Sequence, residues 1–480
     1  MTEFSQIKRN TFYTTITISS RLFANVFLFW LLARFYGPEI FGKFTFAHTL
    51  ATTFIAFADF GLEILLTTKL AANKGNKARI FEKLFGIKVI LLILATTLML
   101  LIGMNYNLSD DYFKLVLIFT VYLIFTSLNN FFVGVFKGYE KFVFEARTSL
   151  FANVFLIVLT VFLIILQRNI IEIAAVFALS RILGTSYSIY NLSKVDPLLT
   201  FKFDLSGLRL VGGKALIFGF HLIFSYLFFQ VDTLLLAKLK GAYSVGIYQS
   251  VFKLVMLPLV IPEIFVNSLL PTLSRYFKEN KDEWIKLGFF MEKILFILAL
   301  PIAAFMIFYA HSIIQFAYGL DGYQDAVNVL RVFGIIILAR FIFEPFALML
   351  TTSDRQIIRL ITVFIATILS ITLNYFVIPK YDVLGASLVS LGVNTFVGVV
   401  YFISLKEKIK FWFLQIRQLI AIFFVFGIGY IFYKFVQLNL IAEIISLFVI
   451  YTTLAYKYYL TKNEKHIFHS LIRKFNFIGQ

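Results

Sequence analysis

The sequence contains no cysteine, which excludes disulfide bridges, thiolate metal sites and cysteine nucleophiles. Histidine is scarce as well, because only five occur among 480 residues, and they are scattered without the spacing of a metal site. Charged residues make up only 15% of the chain. No metal and no other cofactor is therefore predicted.

Apolar residues, by contrast, account for 60% of the chain, and its mean hydropathy is +0.87. A soluble protein of this length could not cover so much apolar surface, so the bilayer is the expected solvent. For a soluble chain, a net charge of +18 would suggest a nucleic-acid partner. Here it indicates an excess of Lys and Arg in cytoplasmic loops. Membrane lipids are the expected partners, and nucleic acid is not.

Apolar stretches of about 20 residues follow one another along the chain, which predicts an all-α polytopic membrane protein. Fourteen such stretches are found, and each is long enough for one transmembrane helix. They lie near residues 14–36, 42–67, 85–104, 114–136, 148–167, 171–192, 213–237, 245–270, 287–310, 327–351, 358–378, 384–405, 412–434 and 440–460.

Lys and Arg gather in alternate loops, including the segments near residues 69–83, 137–147 and 275–286. The intervening loops contain few basic residues, and the one at residues 105–111 is acidic. The positive-inside rule therefore places both termini on the cytoplasmic side of the cell membrane.

Residues 31–44 and 235–248 share a frame of Leu-Leu-Ala, a basic residue, two glycines five apart and an aromatic residue. The offset of 204 residues that relates Gly37 to Gly241 also places Asp59 on Glu263. Chance similarity between apolar helices would explain the shared leucines, but not the shared glycines and charges. Six predicted spans separate the two copies, so they enter the membrane in the same direction, as in transporters with parallel repeats.

This duplication predicts the domain organisation. We expect an N-terminal lobe of six helices at residues 1–192 and a C-terminal lobe of six helices at residues 213–405. A cytoplasmic linker at residues 193–212 joins them, and two further helices with a cytoplasmic tail occupy residues 406–480.

Ionisable side chains within the spans are candidate functional residues, because each costs about 2.5–3.5 kcal/mol to insert at the centre of the bilayer. The candidates are Arg21, Asp59, Glu63, Lys88, Arg181, His221, Asp232, Lys253, Glu263, Arg340 and Glu344. Two of them, Glu63 and Lys88, lie near cytoplasmic helix ends and are expected to extend towards the membrane surface.

Depth in the membrane predicts how the other candidates pair. Arg21 is level with Asp59 on the next span, and Asp232 is level with Lys253. Arg340 and Glu344 lie one turn apart on a single helix.

Basic residues outnumber acidic ones at mid-membrane depth, which indicates an anionic ligand such as a phosphate. The predicted substrate-binding residues are Arg21, Arg340, Lys253 and Arg181. The predicted charge partners, which could couple binding to movement, are Asp59, Glu263, Asp232 and Glu344.

Several segments resemble the polysaccharide-biosynthesis flippases of the multidrug/oligosaccharidyl-lipid/polysaccharide exporter superfamily. They are residues 34–46, 58–63, 245–248, 269–275 and 378–386, and the resemblance extends over residues 5–405. It implies two six-helix lobes arranged in a V, with two additional helices. It also implies that a polyprenyl-pyrophosphate-linked oligosaccharide is moved from the cytoplasmic to the outer leaflet by alternating access. The polysaccharide polymerase machinery would be a further partner.

Two other classes of protein remain alternatives. A cation-coupled drug antiporter of the same superfamily would need a carboxylate-centred ion site, which Asp59 and Glu63 could supply. A membrane-embedded glycan polymerase or ligase would need a sizeable outer loop, and all the outer loops are short. Residues 207–215 resemble a phosphate loop, but Ala215 stands where a magnesium-binding Ser or Thr is required. The sequence therefore predicts a transporter that does not hydrolyse ATP, and not an enzyme.

Overall fold

The computed structural model describes residues 3–72, 76–106, 109–204, 206, 214–405 and 416–435, together with residues 445, 446, 449–451 and 453. Throughout these ranges the regular secondary structure is helical, and they contain no strand. Most of the predicted span at residues 440–460, the tail and part of the predicted linker lie outside the described residues.

Contacts between residues divide the chain into two compact units, Met1–Ser250 and Val251–Gln480. The first unit contains α1 (Glu3–Asp59), α2 (Leu62–Ala72), α3 (Lys77–Met104), α4 (Asp110–Gly138), α5 (Phe142–Ile165), α6 (Ile170–Val195), α7 (Lys214–Leu239) and the greater part of α8 (Ala242–Val255). The second unit contains α9 (Val260–Glu279), α10 (Lys281–Phe308), α11 (Ala310–Tyr318), α12 (Ala326–Thr352), α13 (Gln356–Ser404) and α14 (Ile416–Phe435). This division by contacts does not test the predicted lobe boundaries, which stay predictions.

Two of the helices each combine two predicted spans across a kink. Helix α1 changes direction at Gly37, whose φ of 72° is accessible to glycine at little cost and is followed by Pro38. Helix α13 changes direction at Asp382, whose φ is 50°. The two kinks lie between the predicted spans 14–36 and 42–67 and between 358–378 and 384–405.

The predicted all-α fold is confirmed for the described residues, whereas the two-lobe arrangement and the number of spans stay predictions. Nine described helical segments are long and apolar enough to cross a membrane when α1 and α2 count together. There are ten if α8 and α9, which meet at 47°, form one broken span. The count falls below fourteen partly because each kinked helix is counted once, so fourteen spans stay a prediction.

An aromatic cluster forms part of the core of the first unit. The Phe44 ring lies 5.1 Å from the rings of Phe119 and Phe177, and the Phe29 ring lies 4.9 Å from that of His48. These contacts connect α1, α4 and α6, and they fix the relative positions of the helices that surround a polar cavity.

Candidate functional site

The first unit contains a cavity of about 210 Å³ that is lined by residues of α1, α4, α5, α6 and α7. This volume is well above the roughly 10–15 Å³ that one water molecule needs. The walls are rich in amides, hydroxyls and arginines despite the apolar composition of the helices. The polar lining residues are Arg21, Asn25, His48, Thr52, Tyr122, Thr126, Asn129, Asn130, Asn153, Arg181 and Tyr226.

Two of the four predicted substrate-binding residues, Arg21 and Arg181, line this one cavity. Arg21 lies on α1, and half of its side chain (51%) is exposed. Its Nη2 lies 3.4 Å from Oε1 of Glu145, a buried carboxylate on α5. Because this is a single long contact, most of the guanidinium group remains available for a ligand.

Arg181 is held by groups that do not neutralise its charge. Helix α6, which carries it, begins after Asn169, whose side chain accepts a hydrogen bond of 2.9 Å from the backbone N–H of Glu172. Nη2 of Arg181 donates to Oδ1 of Asn153 at 3.5 Å, and the guanidinium carbon lies 5.4 Å from the ring centre of Tyr122. Its Nε is buried and has no hydrogen-bond partner among the described residues. Across those residues Arg181 also forms no ion pair with a carboxylate.

The predicted pairing of Arg21 with Asp59 is wrong. Asp59 instead accepts hydrogen bonds from Lys88 at 2.5 Å, Ser127 at 2.6 Å and Asn130 at 2.8 Å. The position of Asp59 in the sequence gives its depth in the membrane, but not the side of α1 on which its carboxylate lies. In the structure, the carboxylate lies on the side of α1 that faces α3 and α4.

Lys88 does not extend to the membrane surface as expected, because only 1% of the residue is exposed. Besides Asp59, its ammonium group donates to the hydroxyl of Ser127 at 2.5 Å and to the carbonyl oxygen of Ala58 at 3.1 Å. That carbonyl lies in the last turn of α1, where helices leave acceptors unsatisfied. Lys88 thereby obtains three acceptors, the maximum for an ammonium group.

A second charge network leads from the cavity to the end of α4. Lys137 lies 3.6 Å from the carboxylate of Glu145 that also contacts Arg21, and 2.7 Å from the carboxylate of Glu63. Glu63 was expected to be solvated near the surface, and its side chain is 30% exposed but paired. The four side chains alternate in sign, so the network is neutral.

The remaining predicted site residues do not line this cavity. Asp232 is buried on α7 and accepts a hydrogen bond of 2.6 Å from Tyr248. Lys253 belongs to the second unit, so its pairing with Asp232 stays a prediction. Arg340 and Glu344 are partly buried on α12, also in the second unit, and Glu263 is exposed on α9. Their predicted roles are untested.

Our sequence reasoning considered only ionisable groups and missed the neutral polar lining of the cavity. A signal was available, because Tyr122, Thr126, Asn129 and Asn130 recur on one face of the otherwise apolar helix α4. Spacings of four, seven and eight residues place side chains on the same side of a helix.

Comparison with known families identifies the class of protein. The family model described as "Polysaccharide biosynthesis protein" matches residues 7–277, more than half of the chain. The chain therefore belongs to the polysaccharide biosynthesis protein family. A second model, MatE, matches residues 218–376. No curated protein sequence matches the chain.

Solved structures with the same fold are transporters. The lipid II flippase MurJ in an inward closed conformation has 16% identity and a TM-score of 0.74, covering 93% of this chain and 99% of MurJ. An inward-facing multidrug resistance MATE family transporter of the MOP superfamily has 15% identity and a TM-score of 0.67, covering 82% and 97%.

A MOP superfamily transporter from Pyrococcus furiosus Vc1 (DSM3638), described as having a binding pocket of reverse polarity, has 17% identity and a TM-score of 0.59, covering 83% and 94%. The predicted polysaccharide-biosynthesis family is therefore confirmed by the family model, and the solved structures confirm that the chain has the same fold as these transporters. The enzyme classes considered from the sequence are not supported by any of these similarities.

Proposed function

We propose that the protein is a flippase of the cell membrane that moves a polyprenyl-pyrophosphate-linked oligosaccharide from the cytoplasmic to the outer leaflet. The cavity would open alternately to the two sides of the membrane and so carry the substrate across. The exported lipid-linked oligosaccharide would then be used to assemble a cell-surface polysaccharide. The observation that supports this most directly is the polar cavity of the first unit, in which Arg21 and Arg181 occur together.

The charges around the cavity favour an anion. Arg21 and Arg181 both line it. Arg21 belongs to the neutral network described above, so the excess positive charge is that of Arg181, which forms no ion pair among the described residues. An excess of positive charge in a site of low dielectric constant attracts an anionic group strongly. A planar guanidinium also matches the oxygen geometry of a phosphate. A pyrophosphate meets both requirements, and the amides nearby suit a glycan.

The alternative, a cation-coupled antiporter, is less well supported. Asp59 and Glu63 were the candidate cation ligands, but the ammonium group of Lys88 lies 2.5 Å from Asp59 and that of Lys137 lies 2.7 Å from Glu63. Each lysine occupies the position that a metal cation or a proton would need. The negative charges of these two carboxylates are therefore already neutralised by the lysines.

Within this proposal, Lys253 and Arg340 of the second unit would provide further contacts to the substrate. Two parallel six-helix lobes with the boundaries predicted above would move against each other around it. The polysaccharide polymerase machinery would then receive the exported glycan.

The proposal can be tested in cells that lack the protein. The fraction of lipid-linked oligosaccharide accessible at the outer leaflet should fall in these cells and recover with the wild-type protein. Arg21→Ala and Arg181→Ala should restore much less than the wild type. Arg168→Ala is the matched control, because Arg168 is an exposed arginine paired with Glu172 outside the cavity.

Export that does not depend on the protein would refute the function. Full export by both cavity variants, at normal protein levels in the membrane, would instead refute the arginine site.

A further inference from the structure

The polar face of α4 lines the same cavity as the two arginines, but it consists of neutral groups. We propose that this face recognises the sugar part of the lipid-linked substrate and that Asn129 contributes to its specificity. The inference rests on the proposed function, because it concerns the same site. It adds a second class of ligand group, carbohydrate hydroxyls, to the anion assigned to Arg21 and Arg181.

Four neutral polar residues of α4 line the cavity, namely Tyr122, Thr126, Asn129 and Asn130. Side chains of this kind cost free energy inside a membrane protein unless they find hydrogen-bond partners. Because they lie on the same face of the helix, all four could contact the same ligand. The structural contacts of the two asparagines use only part of their hydrogen-bonding capacity.

The two asparagines offer complementary groups. The carbonyl oxygen of Asn129 accepts a hydrogen bond of 2.7 Å from Ser188, so its NH₂ group is the part it can offer to a ligand. For Asn130 it is the NH₂ group that is engaged within the protein, because it donates a hydrogen bond of 2.8 Å to Asp59. Its carbonyl oxygen is therefore the part it can offer. A donor and an acceptor thus follow each other on the cavity wall.

This combination distinguishes a sugar from a phosphate. At neutral pH a pyrophosphate diester presents acceptors only, so a site built for it needs donors such as guanidinium groups. A sugar hydroxyl both donates and accepts. An acceptor such as the Asn130 carbonyl is useful to a sugar hydroxyl and unfavourable next to a phosphate oxygen.

Thr126 supports the same assignment. Its hydroxyl is buried and has no hydrogen-bond partner among the residues that the structure describes. Threonine in a helix has two accessible χ1 rotamers, so a rotation could turn this hydroxyl to a ligand in the cavity. A bound sugar would then satisfy a group that is otherwise unpaired.

The test compares two ligands on the purified full-length protein. One is the lipid-linked oligosaccharide fraction extracted from cells that lack the protein, and the other is bare polyprenyl pyrophosphate. Asn129→Ala should weaken binding of the glycan-bearing lipid about three- to tenfold, the effect of losing one neutral hydrogen bond. Its affinity for bare polyprenyl pyrophosphate should be unchanged.

Ser188→Ala is the matched control. It removes the same internal hydrogen bond as Asn129→Ala but leaves the Asn129 amide in the cavity, so it should leave both affinities unchanged. The sugar role is refuted if Asn129→Ala weakens both ligands equally, if it weakens neither, or if Ser188→Ala reproduces its effect. The proposed function fails separately, if the wild type binds neither ligand, and the arginine site alone fails if Arg21→Ala and Arg181→Ala change the affinity for neither ligand.

Discussion

Gly42 of α1 and Gly246 of α8, both in the first unit, meet in a reciprocal backbone contact. A Cβ atom on Gly42 would lie 1.8 Å from the carbonyl oxygen of Ala242, and one on Gly246 would lie 1.8 Å from that of Pro38. The offset of 204 residues relates Pro38 to Ala242 and Gly42 to Gly246. A contact that is repeated with its two partners exchanged is the mark of a local twofold axis. This geometry supports the proposed duplication.

We predict that Gly42→Ala and Gly246→Ala each destabilise the protein by about 1–3 kcal/mol, because neither side chain fits without moving backbone. Thermal unfolding of the purified protein would measure this. The double variant should lose less stability than the sum of the two single losses, since both substitutions open the same contact. Gly392→Ala is the control, because a Cβ atom there meets nothing within 4 Å. Additive losses would show that the glycines act independently.

The buried pair of Lys88 and Asp59 gives a second prediction. Lys88→Met removes the ammonium group that lies 2.5 Å from Asp59 and leaves that carboxylate with two neutral donors. Breaking a buried ion pair from one side costs about 3–5 kcal/mol. Asp59→Asn should lower the stability by a similar amount. The double variant with Lys88→Met and Asp59→Asn should recover part of the lost stability.

Thermal unfolding of the single and double variants would test this coupling. The exposed pair of Lys114 and Asp111 provides the comparison, because such surface pairs contribute about 0–1 kcal/mol. Equal effects at both pairs would contradict a structural role for Lys88.

Long apolar runs were sufficient to predict the helical fold, and the resemblance of several segments to known flippases predicted the family. The structure joins the first two predicted spans into one helix with a kink at Gly37, which the sequence analysis did not predict. Arg21 and Arg181 were selected because a guanidinium deep in a span is conspicuous in the sequence, and both line the cavity, although their role in binding stays a prediction. The actual partner of Arg21 was missed. Glu145 lies close to the predicted cytoplasmic boundary and was treated as part of a loop region, although it is buried. Sequence position gives depth along a span but not the direction in which a side chain points, so neighbours on other helices could not be assigned.

The predicted topology yields a third test. The excess of Lys and Arg in alternate loops places both termini in the cytoplasm and the loop at residues 105–111 outside. Reporter fusions at Asn107 and Asn463 should therefore report opposite sides of the membrane. Reports from the same side would show that the number of spans between the two positions is even, which the predicted fourteen-span arrangement does not allow.

The last prediction concerns the shape of the cation at position 21. Arg21→Lys preserves the charge but replaces a planar fork with a single ammonium group. In the wild type, one nitrogen of Arg21 contacts Glu145 at 3.4 Å while the rest of the guanidinium borders the cavity. A lysine cannot readily serve the carboxylate and a pyrophosphate together, and its more compact head group would be drawn to Glu145.

We expect Arg21→Lys to reduce export of the lipid-linked glycan about tenfold, the loss of one charge-assisted hydrogen bond. Arg21→Ala should reduce it at least as much. The export assay in cells lacking the endogenous protein would measure both variants, with Arg168→Lys as the control for an arginine outside the cavity. If Arg21→Lys exported at the wild-type rate while Arg21→Ala did not, charge alone would suffice at this position. The guanidinium geometry would then not be part of substrate recognition.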